Sequence, residues 1–117
     1  MDHYIFSDAS FDPKSKIAIC GILKNGQLDY DIIWETTNIK AEIYAFQMSK
    51  REGNSSMVFV TDCDKVYKIA TQQNLNTKWV KGHKPTKDKD TIDKQFAILD
   101  KFLRKTLREL NKAAEAS

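Results

Sequence analysis

Cysteine is scarce in this chain of 117 residues: Cys20 and Cys63 are the only two. They stand far apart in apolar surroundings, too few for a disulfide framework and without the C-x-x-C spacing of a zinc site. That usage suits a reducing compartment, and a cytoplasmic location is expected. Four glycines and two prolines exclude collagen-like and low-complexity chains. The longest apolar stretch is a handful of residues, so no membrane-spanning helix is expected. The opening MDHYIF has no basic segment followed by an apolar run, so no secretory signal is expected either. Internal repeats and Pro/Ser-rich linkers are missing as well, and residues 1–117 read as a single domain. A chain of this length buries roughly two thirds of its unfolded surface, enough for a core without staples.

Charge is present in both signs but unevenly placed. The formal net charge is +3. Residues 1–77 hold 8 Lys/Arg against 10 Asp/Glu, whereas residues 78–117 hold 11 against 6. A basic final third on a near-neutral body points toward a polyanionic partner, although lysine-rich faces also serve simply to solvate a surface.

The periodicities give an order of elements. HYIFSDAS alternates and is rich in β-formers, so a strand ending near Asp8 is expected, followed by a polar turn over residues 11–15. Residues 16–24 and 27–35 read as two further strands joined at Asn25-Gly26, a pair that tolerates positive φ at both turn positions. Thr36-Thr37-Asn38 offers helix caps before Ile39, Ile43 and Phe46 at helical spacing, and Gly53 stops that helix. MVFVT at 57–61 is an apolar run of the kind found in a strand covered on both faces. A short helix over 64–73, a brief strand over 77–80 and a lysine-rich loop over 82–90 follow. A long amphipathic helix closes the chain, with Ile92, Phe96, Leu99, Leu103, Leu107 and Leu110 along one stripe. The order βββαβαβα predicts an α/β fold, a five-stranded mixed sheet with helices packed on it, in which the right-handed crossover rule sets strands one and four side by side and parallel.

Acidic residues occupy informative places in that plan. Asp8 ends the first strand and Asp62 the fourth, Glu42 lies in the first turn or so of the first helix, and Asp93 begins the last. Carboxylates gathered at one sheet edge repel one another unless a cation neutralises them, and an all-oxygen donor set selects Mg²⁺ or Mn²⁺. Each residue also has a plainer role: Asp62 as a helix cap, Asp93 as an acid favoured by a helix N-terminus, Glu42 as an exposed helix residue, Asp8 as a turn residue.

The segments YIFSDAS at 4–10, TTNIKAEIYA at 36–45, VTDCDKVY at 60–67 and WVKGH at 79–83, with ten residues from His83 to Asp93, resemble the type 1 ribonuclease H family, part of the ribonuclease H-like superfamily. The likeness runs from Tyr4 to about Ala97. It implies an endonuclease that hydrolyses the RNA strand of RNA–DNA hybrids with two Mg²⁺ ions, Mn²⁺ serving as substitute, and leaves 5′-phosphate products. By the same resemblance Asp8, Glu42, Asp62 and Asp93 are metal ligands, with Asp8 bridging both ions, and His83 moves protons or assists product release. Ser10, Asn38, Lys81 and Lys84 then fall at substrate-binding positions, and Lys78, Lys87 and Lys89 join them as phosphate contacts.

Three departures from the family pattern stand out. Ile39 replaces a second Asn, Asp64 adds negative charge after the third carboxylate, and the 16 residues between Asp62 and Trp79 leave no room for the basic protrusion of larger members. They motivate an alternative, a nucleic-acid-binding module of the same fold with weak or no cleavage. A third reading is a DNA nuclease of the wider superfamily such as a junction resolvase, from which WVKGH points away. A monomer is expected, with the apolar stripe of the last helix as the surface open to a partner or a second copy.

Overall fold

The structure, a computed structural model, describes residues 3–81 and 90–116. Its elements run β1 (Tyr4–Asp12), β2 (Ile17–Lys24), β3 (Gln27–Ile33), α1 (Asn38–Glu52), β4 (Val58–Thr61), α2 (Asp64–Gln72), β5 (Thr77–Trp79) and α3 (Thr91–Ala116). They build one five-stranded sheet in the order β3-β2-β1-β4-β5. β1 pairs antiparallel with β2, and β2 with β3, while β4 pairs parallel with both β1 and β5. The expected α/β architecture with its mixed sheet is the one observed.

The connection between β2 and β3 is the tight turn anticipated at Asn25-Gly26. Both residues have positive φ, 52° and 77°, and the flanking Lys24 and Gln27 are paired. That backbone twist matches the twist of the strands it joins. β3 is the outer strand and is exposed along most of its length, and Asp29 and Asp31 on it discourage pairing with another chain.

Alternation along the strands splits the core into two layers. Ile5, Ala18, Cys20, Ile22 and Phe59 meet Ala41, Ala45, Phe46 and Met48 of α1 and Val66 and Ala70 of α2. Phe6, Ile19, Leu23 and Val60 face the other way and meet Phe96, Leu99, Leu103 and Leu107 of α3, together with Val80. Helices therefore cover both sides, which explains why β2 and β4 are buried almost throughout. The apolar stripe of α3 is spent on the sheet: its four central members are buried, and Ile92 and Leu110 pack at the ends.

Several boundaries differ from expectation: β3 ends at Ile33 rather than at residue 35, β5 at Trp79 rather than at residue 80 and α2 at Gln72 rather than at residue 73. β1 continues past Asp8 to Asp12, because all its residues from Ile5 to Asp12 find partners on β2; the turn is correspondingly shorter and begins at Pro13. α3 is 26 residues long, since the helix continues beyond the last apolar position into the polar run after Leu110.

Gly21, the register partner of Asp8, decides how closely α3 lies on the sheet. A Cβ there would stand 2.6 Å from Leu103 Cδ2, 3.3 Å from Leu99 Cδ1 and 3.2 Å from the backbone oxygen of Asp29. Gly21→Ala should therefore overpack the layer and cost about 1–3 kcal/mol in urea unfolding. Leu103→Ala should cost about 2–5 kcal/mol. The double variant should cost less than the two added together, because removing Leu103 vacates the space the new methyl needs.

Candidate metal centre

The sheet register brings two carboxylates level. Parallel pairing of β1 with β4 ends at Phe6 opposite Val60, and Asp8 and Asp62 each lie two residues beyond. Two residues is one strand repeat, so Asp8 projects from the same face as Phe6 and at the same height as Asp62. The side chain of Asp8 is thus set inside β1 rather than at its end.

Glu42 comes from α1, whose phase is set by its cap. Thr37 Oγ1 accepts the Lys40 N–H at 3.2 Å and the helix starts at Asn38. Residues four apart share a helix face, which aligns Asn38 with Glu42. Beyond Phe6 the pairing of β1 with β4 is over, and there the Ala9 N–H donates to Glu42 Oε1 at 3.1 Å. This bond ties the helix to the strand that carries Asp8.

The result is a compact set. Asp8, Glu42 and Asp62 each offer an oxygen, and these atoms lie within 4.8 Å of one another. Asp8 is 3% exposed and Glu42 7%, whereas Asp62 is half-buried. Burial, reinforced by the charges of Glu42, Asp62 and Asp100, raises the Asp8 carboxyl well above its ordinary range. Burial, and then the Asp62 charge, lifts Glu42 from 4.5 to about 7, and a side-chain hydrogen bond with Asp8 and then the Ala9 N–H only partly offset this. Asp8 Oδ2 is buried and lacks a hydrogen-bond partner, a costly condition for a carboxylate oxygen. An orphaned oxygen in an all-oxygen donor set fits a hard divalent cation.

The set opens onto a cavity of about 350 Å³ also lined by Ser10, Asn38, Cys63, Asp100 and Arg104. Two of the expected substrate-side residues, Ser10 and Asn38, are thus at its wall. Lys78 and Lys81 are exposed at and just after β5. His83, Lys84, Lys87 and Lys89 lie outside the described residues.

Asp93 is placed differently from the other three acids. It is buried in the first turn of α3, where its N–H donates to Asp90 Oδ1 at 2.8 Å and its Oδ2 accepts the Asp90 N–H at 3.3 Å. This reciprocal pair is a capping box. Asp93 is not a member of the clustered set and does not line the cavity. Asp100 does line it, with Arg104 bonded to it at 3.0 Å. Asp100 belongs to no motif in the sequence; the signal that could have found it is its distance of seven residues from Asp93, two helical turns along nearly the same face. Cys63, the other half-buried neighbour, has its thiol raised by burial, which disfavours the reactive thiolate.

Among known proteins, neither a scan against protein-family models nor a search of curated sequences gives a match to this chain.

The two raised carboxyls make stability depend on pH. The folded protein binds these protons more tightly than the unfolded chain, so metal-free stability is full below the ordinary carboxyl range and falls as pH rises through about 7. Thermal melting in chelator should show this decline, and Mg²⁺ or Mn²⁺ should reverse it by binding the deprotonated site. Asp8→Asn should raise the chelated melting temperature above neutrality and remove the metal-induced gain. A flat pH profile in chelator would contradict this account of the cluster.

Proposed function

We propose that this chain is a small metal-dependent nuclease of the ribonuclease H type, which hydrolyses the RNA strand of RNA–DNA hybrids. The observation that carries the reading is the convergence of Asp8, Glu42 and Asp62 within 4.8 Å around an unpartnered Asp8 oxygen, in a chain whose motifs resemble that family over the same residues.

In this reading Asp8 and Asp62 present oxygens from neighbouring strands and Glu42 closes the set from the helix. Held there, Mg²⁺ or Mn²⁺ ions would activate the attacking water and stabilise the leaving 3′-oxygen. The protons that Asp8 and Glu42 retain in the metal-free site leave when the site is loaded. Ser10 and Asn38 at the cavity wall are suited to hydrogen-bond sugar and base edges in the wide, shallow minor groove of a hybrid. Lys78 and Lys81 supply positive charge for the phosphates. Hydrolysis leaves a 5′-phosphate and a 3′-hydroxyl.

A second reading, hybrid binding without turnover, is favoured by one observation. Asp93, which the family pattern makes a ligand, gives an oxygen to the cap of α3. Incubation of the full chain with end-labelled RNA–DNA hybrid, duplex RNA and duplex DNA in Mg²⁺ or Mn²⁺ separates the two. Cleavage restricted to the RNA of the hybrid is expected, and Asp62→Asn should abolish it while leaving the fold intact. A salt-sensitive mobility shift of the hybrid with no product at any metal concentration would establish the second reading instead.

A further inference from the structure

Asp100 and Arg104 occupy the wall of the cavity that holds the three clustered acids, and the family resemblance assigns neither of them a role. Their place follows from packing. Leu99 and Leu103 are fully buried and lie over Gly21, whose missing side chain lets α3 approach the strand beside Asp8. Asp100 and Arg104 each follow one of these anchored leucines, so their backbone is held at a fixed height over the cluster. The side chain of Asp100 is 24% exposed and that of Arg104 51%.

We propose that Asp100 is an additional acidic group of the metal pocket, strengthening its hold on a hard divalent cation, and that Arg104 is the counter-ion that opposes it. The proposal rests on the reading of Asp8, Glu42 and Asp62 as a metal site. Asp100 is not in the tight set of three, so its contribution is through the field and through metal-bound water rather than as a fourth direct ligand. Such outer groups commonly change metal affinity by about 10–100-fold. The unpartnered Asp8 oxygen gives the cavity an independent need for a cation.

Arg104 is the one cationic side chain among the described residues that line the cavity. Its bond to Asp100 spans one helical turn at 3.0 Å. Pairs exposed to this degree contribute little, so an incoming divalent ion competes with Arg104 on favourable terms. Removing either partner therefore has opposite effects on cation affinity. That sign reversal distinguishes a role at the metal pocket from a structural role for the pair, whose loss would weaken binding in both variants.

The test is Mn²⁺ binding to the full-length chain, followed by calorimetry and by the loss of the free-ion paramagnetic resonance signal, with no nucleic acid present. Asp100→Asn should weaken Mn²⁺ binding about tenfold, and Arg104→Gln should tighten it about two- to fivefold. Both substitutions are at partly exposed positions, and circular dichroism checks that each variant is folded. Unchanged affinity in Asp100→Asn, or weaker binding in Arg104→Gln, would overturn the proposal while leaving the three-acid site standing. Failure of the unsubstituted chain to bind Mn²⁺ would overturn both.

Discussion

Mutual repulsion among buried carboxyls is the constraint around which this molecule is organised. Asp8, Glu42 and Asp62 are forced within 4.8 Å of one another by elements that cannot easily relax: a central strand, its parallel neighbour, and a helix fastened to that strand through the Ala9 N–H. A fold gains nothing from such a cluster for its own stability. Without a cation it must hold protons against their ordinary tendency to leave, because burial first, and the neighbouring charges after it, raise the carboxyls of Asp8 and Glu42.

The scaffold around the cluster is buried on both faces. Helices on both faces bury the middle of the sheet, with separate apolar layers above and below β1. One glycine opposite Asp8 governs the approach of the long helix, so core packing and site geometry are set at the same point of the sheet. α2 is only nine residues long, and the long α3 supplies an entire face of the core by itself. Its apolar stripe is consumed in doing so, which leaves its polar side, with Asp100 and Arg104, to shape the cavity.

Legibility varied with how local the determining physics was. Asn25-Gly26, a cap within Thr36-Thr37-Asn38 and the buried run of β4 were plain in the sequence, because each depends on a residue's own backbone preference or on the period of its neighbours. The true end of β1 was not. Phe11 and Asp12 look like part of a turn in isolation and become strand through pairing with β2. Asp93 was legible as a first-turn acid of the last helix, and the plainer role weighed for it is visible in its capping box with Asp90. Asp100 could not be singled out, since an acid between two core leucines of an amphipathic helix resembles any solvated helix position.

The amino-acid sequence by itself determined the element order and the mixed sheet with helices packed on it, because binary patterning, turn chemistry and the crossover rule act through short stretches of chain; it offered four acids as candidates without separating Asp93 from the three that meet. Only the tertiary structure decided which acids share a cavity and which are engaged elsewhere. That choice depends on register and interlayer distance, here Phe6 level with Val60 and α3 resting on Gly21, and such distances arise from packing among segments far apart in the chain.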